Sequence, residues 1–363
     1  MQTLAIKYRP KMFEDVVEQG PIRLILQEQI RTQTFKNCYL FTGGAGTGKT
    51  TCARIFASEL NDHKGNAIEI DAASNNGVDN VREIIDNAKF KALDAPYKVY
   101  IMDEVHMLST GAWNAMLKLI EEPPAKTIFI FCTTDPQKIP ATILSRVQRY
   151  DFRRITYDGI VARLTYIMQQ EHDEAYDKLL KEDGDMATCE AEGSGYYQWQ
   201  PEALEYIAKM ADGGMRDAIT LLDKCISYSN EVTVESVVEA LGTTNYDTMV
   251  SLTNHILAMD AAKAVVVIED CHRQGVDLKQ FIKQYTWFLV DAYKYCLLQD
   301  FEYITLPPSL HNWLEILSRE AIGFTLYLMN RMVKLNSQIK WESTPKPLIE
   351  ATVILLCQEE PTE

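Results

Sequence analysis

Short apolar runs alternate with amphipathic stretches over the first 155 residues. Runs of strand length stand at 38–41, 67–70, 98–102, 127–132 and 149–152. Between them, apolar residues recur at intervals of three and four, which predicts helices over 22–31, 50–60, 78–89 and 110–120. This alternation is typical of a doubly wound α/β layer with a five-stranded parallel sheet.

The segment 110–120 has the clearest helix signals. Its apolar residues fall at i, i+3, i+4 and i+7: Trp113, Met116, Leu117 and Ile120. Ser109 stands where an N-cap is expected, and the two prolines at 123–124 end the pattern.

Beyond Tyr157 the strand signal fades and helical patterns take over, at 160–170, 201–211 and 215–227. The acidic, glycine-containing stretch 171–200 predicts a loop or appended hairpin. Further helices follow from 244 to 358, with apolar stripes at 349–356 and at Leu326, Met329 and Val333. We therefore predict an α/β domain (1–155), a small helical domain (156–242) carrying an acidic insertion, and a second helical domain (243–363).

Composition narrows the possible classes of protein. The chain of 363 residues is 47% hydrophobic and 24% charged, as in soluble globular proteins. No apolar run reaches the roughly 18–20 residues that span a bilayer, and the N-terminus lacks a signal-peptide pattern, so we expect a cytoplasmic protein without a membrane partner. A net charge of −15 argues against bulk electrostatic coating of DNA and leaves room only for a local basic face.

The eight cysteines are scattered and form no C-x-x-C pair, so neither a zinc site nor a disulfide framework is predicted. Several lie inside apolar runs, as Cys132 does, where a free thiol acts as a small hydrophobe. We expect core thiols.

Residues 43–50 form a complete G-x-x-x-x-G-K-T motif between a predicted strand and a predicted helix. In that context glycines allow backbone N–H groups to surround phosphates, and the helix N-terminus adds favourable partial charge. Lys49 is expected to reach the β- and γ-phosphates of ATP, and Thr50 to ligate Mg²⁺. The predicted nucleotide-binding set here is Gly43, Gly44, Ala45, Gly46, Thr47, Gly48, Lys49, Thr50 and Thr51.

Two adjacent carboxylates, Asp103 and Glu104, end the apolar run at 98–102. Strand alternation predicts that they point in opposite directions, which separates their roles. We expect Asp103 to be directed to the metal and Glu104 to orient and polarise the attacking water.

Phosphoryl transfer calls for a further cation, and two arginines are candidates. Arg146 precedes the last strand at the edge of the domain, where it can reach a neighbouring subunit's nucleotide. Arg216 opens a helix of the second domain. From spacing alone, a role at the nucleotide and an ordinary place on the surface or in a salt bridge are equally compatible with each arginine. Thr134 or its neighbour Thr133 ends the fourth strand beside the phosphates, where a threonine is also a common cap.

Several longer motifs resemble the gamma/tau subunit of the bacterial DNA polymerase III clamp loader. They are Y-R-P-x-x-F-x-D-V-V at 8–17, the G-K-T loop, D-A-A-S-N-N-G-V at 71–78, D-E-V-H-M-L at 103–108, L-x-E-E-P-P at 119–124, T-T-D-P-Q-K-I-P at 133–140 and S-R at 145–146. Residues 214–222 are similar again. The resemblance places the chain among AAA+ ATPases.

This resemblance implies an α/β core, a helical lid and a C-terminal collar through which clamp-loader subunits form a five-membered ring. It implies that ATP with Mg²⁺ lets the ring hold a sliding clamp open on primer–template DNA, and that hydrolysis releases both. By motif, Tyr8, Arg9 and Val17 flank the adenine. Thr134 would be sensor 1, Arg216 sensor 2, and Arg146 the finger acting in trans.

The chain also departs from the family pattern. The four-cysteine zinc module after the first motif helix is replaced by the short stretch 61–66, so no zinc is expected; Val147 replaces a cysteine. The stretch 171–200 is long for a lid connection. These departures suggest a divergent or phage-encoded member, acting in the host cytoplasm if phage-encoded. Residues 75–81, with Lys89 and Lys91, are a hypothetical DNA-facing surface, with a solvated helix face as the alternative.

Two other functions remain open from sequence. A nucleotide-binding AAA+ scaffold or initiator would bind ATP without turnover, which the complete set of Lys49, Thr50, Asp103 and Glu104 disfavours. A ring helicase of the branch-migration type shares the core, but would not need this serine–arginine pair and long collar.

Overall fold

The computed structural model describes residues 2–92, 94–183, 196–241, 246–304, 306, 308–340 and 342–358. The chain divides into two compact units, Met1–Val234 and Glu235–Glu363. The division of the first unit into a core and a lid stays a prediction.

A five-stranded parallel sheet forms the centre of the first unit, as predicted. Its strands are β1 (Cys38–Thr42), β2 (Ile68–Asp71), β3 (Lys98–Asp103), β4 (Thr127–Thr133) and β5 (Gln148–Asp151). Their order is β2-β3-β4-β1-β5, and every pair is parallel, with Leu40 of β1 opposite Phe131 of β4. The C-terminal ends of β1, β3 and β4 therefore meet at one edge.

Helices cover both faces of this sheet. They are α2 (Gly20–Thr32), α3 (Lys49–Leu60), α4 (Val78–Ala88), α5 (Thr110–Glu121) and α6 (Ala141–Leu144). The short helix α1 (Leu4–Lys7) packs instead against the later helix at Met215–Tyr228. Alternate strand residues face opposite layers: Tyr39 and Phe41 pack with Phe56 of α3, whereas Leu40 packs with Trp113 of α5. The predicted cap of α5 is confirmed, because Ser109 Oγ accepts from the Ala112 N–H at 3.2 Å.

The rest of the first unit consists of α7 (Tyr157–Asp183), β6 (Gln198–Trp199), α8 (Pro201–Met210), α9 (Met215–Tyr228) and β7 (Glu231–Val232), and α10 (Val234–Leu241) begins at its end. The prediction of a loop or hairpin from residue 171 was wrong up to residue 183, where α7 continues as a helix. Residues 171–183 contain no Gly or Pro, and seven of the thirteen are Glu, Lys or Leu, so helix propensity outweighs the low hydrophobicity. The middle of the predicted insertion, 184–195, lies outside the described residues.

The described part of the second unit is helical. After α10 come α11 (Tyr246–Leu257), α12 (Ala261–Arg273), α13 (Leu278–Leu298), α14 (His311–Glu320), α15 (Ile322–Ile339) and α16 (Pro345–Leu356). In α15 the predicted apolar stripe was wrong at two of its three residues: Leu326 and Val333 are exposed, whereas Met329 is partly buried against the core. The buried face holds Leu328, Met332, Leu335 and Ile339, which form a second apolar stripe at helical spacing and pack against the other helices of this unit. In α16, Ile349, Val353 and Leu356 are buried as expected.

All described cysteines are free and buried, which confirms the core thiols: Cys38, Cys52, Cys132, Cys225, Cys271, Cys296 and Cys357. Cys189 lies outside the described residues. In the described part of the chain, no helix combines the length and apolarity needed to cross a bilayer.

Candidate functional site

The loop between β1 and α3, residues 43–48 and here called the phosphate loop, turns sharply at its glycines. Gly43 has a φ of +148°, and a Cβ there would lie 2.4 Å from the Phe152 carbonyl oxygen. Gly46 has a φ of +69°. Only glycine tolerates these positions, so the loop brings its backbone close to the first turn of α3. Thr47 Oγ1 braces the loop by donating to the Gly44 carbonyl at 2.9 Å.

Lys49 opens α3 and folds back over this loop. Its side chain is buried, and Nζ donates to the carbonyls of Gly43 at 2.9 Å and Gly44 at 2.7 Å. Burial lowers the pKa of Lys49, and the nearby carboxylates of Glu104 and Asp103 oppose that change. The loop therefore encloses an ammonium group at the N-terminus of a helix, an arrangement that favours a bound polyphosphate.

Thr50 and Asp103 come from different elements and meet beside the loop. Thr50 Oγ1 donates to Asp103 Oδ2 at 2.7 Å, and Asp103 Oδ1 accepts from the Glu104 N–H at 3.0 Å. A hydroxyl and a carboxylate next to a phosphate site fit Mg²⁺, which is bound through few protein oxygens, with water and phosphate oxygens as its other ligands.

Glu104 diverges from Asp103, but not through strand alternation. β3 ends at Asp103, and Glu104 adopts a left-handed backbone with φ 49° and ψ 41°. This turn brings its carboxylate to the end of β4, where Oε2 accepts from Thr134 Oγ1 at 3.0 Å. Of the two candidate threonines, Thr134 is the one placed beside Glu104, in a position to orient it.

His106 is a site residue that the sequence reasoning missed. Its Nδ1 lies 3.3 Å from Glu104 Oε2 and 3.1 Å from Thr133 Oγ1, and its side chain is 13% exposed. Its presence in the same short motif as the two carboxylates was the available signal. Thr133 thus contacts His106 while Thr134 contacts Glu104.

The structure places the two candidate arginines differently. The start of α9 lies against the phosphate loop, because the Met215 N–H donates to the Gly46 carbonyl at 3.1 Å. A Cβ on Gly46 would lie 3.2 Å from the backbone nitrogen of Arg216. Arg216 itself is exposed. The described contacts of Arg146 are on the surface of α5 and α6, with Nε 2.8 Å from Glu121 Oε1 and Nη1 2.7 Å from the Thr142 carbonyl.

The segment predicted to flank a base lies near the N-terminus. The Tyr8 hydroxyl donates to Glu171 Oε1 at 2.6 Å, and Arg9 and Val17 are half-buried. Gln19, which the sequence reasoning also missed, is buried and donates to the carbonyls of Arg153 at 2.7 Å and Thr47 at 3.4 Å. Its amide thereby joins this segment to the phosphate loop; no sequence pattern marked it.

Two family models match separate parts of the first unit. The model for the DNA polymerase III delta subunit matches residues 66–156, and the model for the ATPase lid domain of a DNA polymerase III clamp loader subunit matches residues 193–231.

Similar curated proteins agree over most of the chain. DNA polymerase III subunit tau of Bacillus subtilis is 37% identical over 98% of this chain and 63% of its own length. Subunit tau of Salmonella typhimurium is 33% identical over 76% of the chain and 43% of its own length. Subunit gamma of Buchnera aphidicola from Schizaphis graminum is 31% identical over 79% of both. The chain thus spans less than two thirds of the two tau subunits.

Among solved structures, the RuvB Holliday junction branch migration motor of Thermotoga maritima is similar to this chain at 18% identity and a TM-score of 0.48. The alignment covers 69% of this chain and 79% of the RuvB chain. Agreement at this level does not discriminate between functions.

Proposed function

Because this chain belongs to the gamma/tau family of DNA polymerase III subunits, we propose that it is an ATP-driven motor subunit of a sliding-clamp loader. It would act in a five-membered ring with other clamp-loader subunits and open the clamp on primer–template DNA. One observation supports this proposal most. A member of this family combines a complete phosphate loop with two hydroxyl–carboxylate pairs, Thr50–Asp103 and Thr134–Glu104.

The described residues divide the work of ATP hydrolysis. Lys49 and the backbone N–H groups of the phosphate loop bind the β- and γ-phosphates. Thr50 and Asp103 would hold Mg²⁺, which neutralises charge on the phosphate oxygens when it is bound. Glu104 orients a water molecule and polarises it for attack on the γ-phosphorus, and Thr134, in the sensor 1 position, fixes the Glu104 carboxylate.

Three further assignments belong to the proposal. Tyr8, Arg9 and Val17 flank the adenine, and Arg216 at the start of α9 contacts the γ-phosphate as sensor 2. Arg146 reaches the nucleotide of the neighbouring subunit as a finger in trans. Residues 1–155, 156–242 and 243–363 act as core, lid and collar.

The decisive experiment measures ATP hydrolysis by the chain assembled with its clamp-loader partners, with and without clamp and primer–template DNA. We expect both together to raise turnover, and the Glu104→Gln assembly, which still binds ATP, to show none of this stimulation. Equal turnover with and without clamp and DNA would contradict the proposal.

The same assay separates the two alternatives. A scaffold or initiator would bind ATP without turnover under any condition. A branch-migration helicase would move junction DNA and would not depend on the clamp.

A further inference from the structure

The extension of α7 past residue 170, which the proposed function leaves without a role, carries a carboxylate bound to the N-terminal segment. Glu171 Oε1 accepts from the Tyr8 hydroxyl at 2.6 Å and from Lys7 Nζ at 2.7 Å. The Glu171 side chain is only 13% exposed. Two donors from adjacent residues therefore share one sheltered oxygen, which makes both bonds charge-assisted.

Other contacts bind the same N-terminal segment to the helices that follow the sheet. Arg163 of α7 donates from Nη2 to the Tyr8 carbonyl at 2.9 Å. The Leu4 N–H donates to Asp223 Oδ2 of α9 at 3.2 Å, and the Leu4 side chain is buried. Residues 4–8 are thus fixed to both α7 and α9.

Burial, together with the Glu171 carboxylate, keeps the Tyr8 hydroxyl protonated and therefore a donor. Burial and then the Glu171 carboxylate raise the pKa of Tyr8, so the phenol stays neutral. Burial acts to lower the pKa of Lys7, but Glu171 and Glu174 outweigh it and the net pKa is raised. Lys7 therefore stays an ammonium group beside the carboxylate at neutral pH.

The turn of α7 that carries Glu171 is itself held in place. The next residue, His172, has Nδ1 2.6 Å from the Tyr197 carbonyl, and its ring packs against Tyr176 and Tyr196. The contacts of His172 therefore hold the backbone next to Glu171 in place, and this limits the movement of the Glu171 carboxylate.

From these contacts we infer that Glu171 is a positioning residue: it fixes the Tyr8 ring against the nucleotide base and makes ATP affinity depend on helix α7. This inference rests on the proposed function for the placement of Tyr8 beside the adenine. It assigns the base-binding side of the site to a segment shared between the N-terminus and α7.

The test compares equilibrium binding of a fluorescent ATP analogue to the full chain and to Glu171→Gln. Loss of a charge-assisted bond should weaken binding roughly fivefold to tenfold. Glu174→Gln is the matched control, because Glu174 contacts Lys7 but not Tyr8 and is 63% exposed; we expect less than about a twofold change there. An unchanged affinity in Glu171→Gln overturns the inference.

A ligand without a base separates positioning from general damage to the fold. Inorganic tripolyphosphate, measured by competition, should bind Glu171→Gln as it binds the parent chain. Equal losses for ATP and tripolyphosphate would contradict the inference, since a merely structural role moves both.

Tyr8→Phe keeps the ring and removes the hydroxyl, so it breaks the hydrogen bond between Tyr8 and Glu171 without replacing Glu171 itself. We expect Tyr8→Phe to weaken ATP binding, and Glu171→Gln added to it to weaken binding little further. Full additivity of the two changes would overturn the inference. These titrations contain neither clamp nor DNA, so they test the role of Glu171 separately from the clamp-loader proposal. If the chain binds ATP tightly but the turnover assay shows no stimulation by clamp and DNA, only the clamp-loader proposal is overturned.

Discussion

The proposed phosphate side and the proposed base side of the candidate site are built in different ways. On the phosphate side, Lys49 opens the helix that follows β1, and Asp103 ends β3. These two parallel strands lie on either side of β4, so the strand order of the sheet brings the two residues together. On the base side, Tyr8 meets Glu171 across 163 residues of sequence. The first arrangement follows from strand order, the second from the docking of distant segments.

The two sides also differ in how firmly they are supported. The strand residues behind the phosphate loop, such as Phe41, Met102 and Cys132, are fully buried. On the base side, Lys7 is 32% exposed and Glu174 63% exposed, so solvent screens that part of the network. Substitutions should therefore have large effects on the phosphate side and small ones on the base side, and four experiments test this contrast.

The largest effect should come from Arg146→Ala, which asks whether the phosphate side is completed by a neighbouring subunit. In related phosphate chemistry, loss of such an arginine lowers turnover by about 10³–10⁵. We expect a loss of this order in the assembled ring, with ATP affinity of the isolated chain nearly unchanged. Arg149→Ala is the matched control, because Arg149 is an exposed arginine paired with Asp151. Normal turnover by the Arg146→Ala ring would remove the finger role.

Next in size is Glu104→Gln, which leaves the phosphate loop untouched. Removing a general base typically costs about 10²–10⁴ in rate, so turnover should fall by that factor while ATP still binds. Single-turnover hydrolysis and equilibrium binding measure the two effects separately. A parallel loss of binding would show that Glu104 and Lys49 do not have separate roles.

Lys49→Ala should lower affinity by roughly 100-fold, because a buried ammonium group no longer faces the phosphates. Titration with both ATP and tripolyphosphate sharpens the comparison. Here both ligands should lose affinity, whereas the base-side change Glu171→Gln should affect ATP alone. If Lys49→Ala spared tripolyphosphate, the assignment of this loop to the phosphates would be wrong.

The smallest effect should come from Gln19→Ala, which breaks the link between the two sides. Removing the buried Gln19 amide leaves the Thr47 and Arg153 carbonyls without this donor, which costs about 1–3 kcal/mol, so thermal unfolding should shift down by roughly 2–8 °C. Differential scanning calorimetry of the chain measures this shift of the unfolding temperature. Gln27→Ala is the control, since within the described part of the chain the Gln27 amide contacts only Glu14, at the surface. An unshifted melting curve for Gln19→Ala would mean that the two sides are joined by other contacts.

Periodicity and short motifs predicted much of this molecule from sequence. The five strands, the helices between them and the Ser109 cap were predicted to within a few residues, because the apolar periodicity and the cap residue that mark them are local features of the sequence. The phosphate loop, Asp103 and Glu104 were recognised because their chemistry requires fixed residue types at fixed spacing. The family and the helical nature of the second unit followed from the same local information.

Only the tertiary structure decided the remainder. It extended α7 to Asp183, chose the buried face of α15, and set the left-handed turn at Glu104. It also brought Gln19 to the phosphate loop and Glu171 to the Tyr8 hydroxyl, neither of which a local pattern marked. His106 shares a short motif with the two carboxylates, but only the fold placed it against Thr133. Such residues act through partners that are remote in sequence or through backbone geometry imposed by packing. A sequence records the donors and acceptors, but folding determines which of them meet.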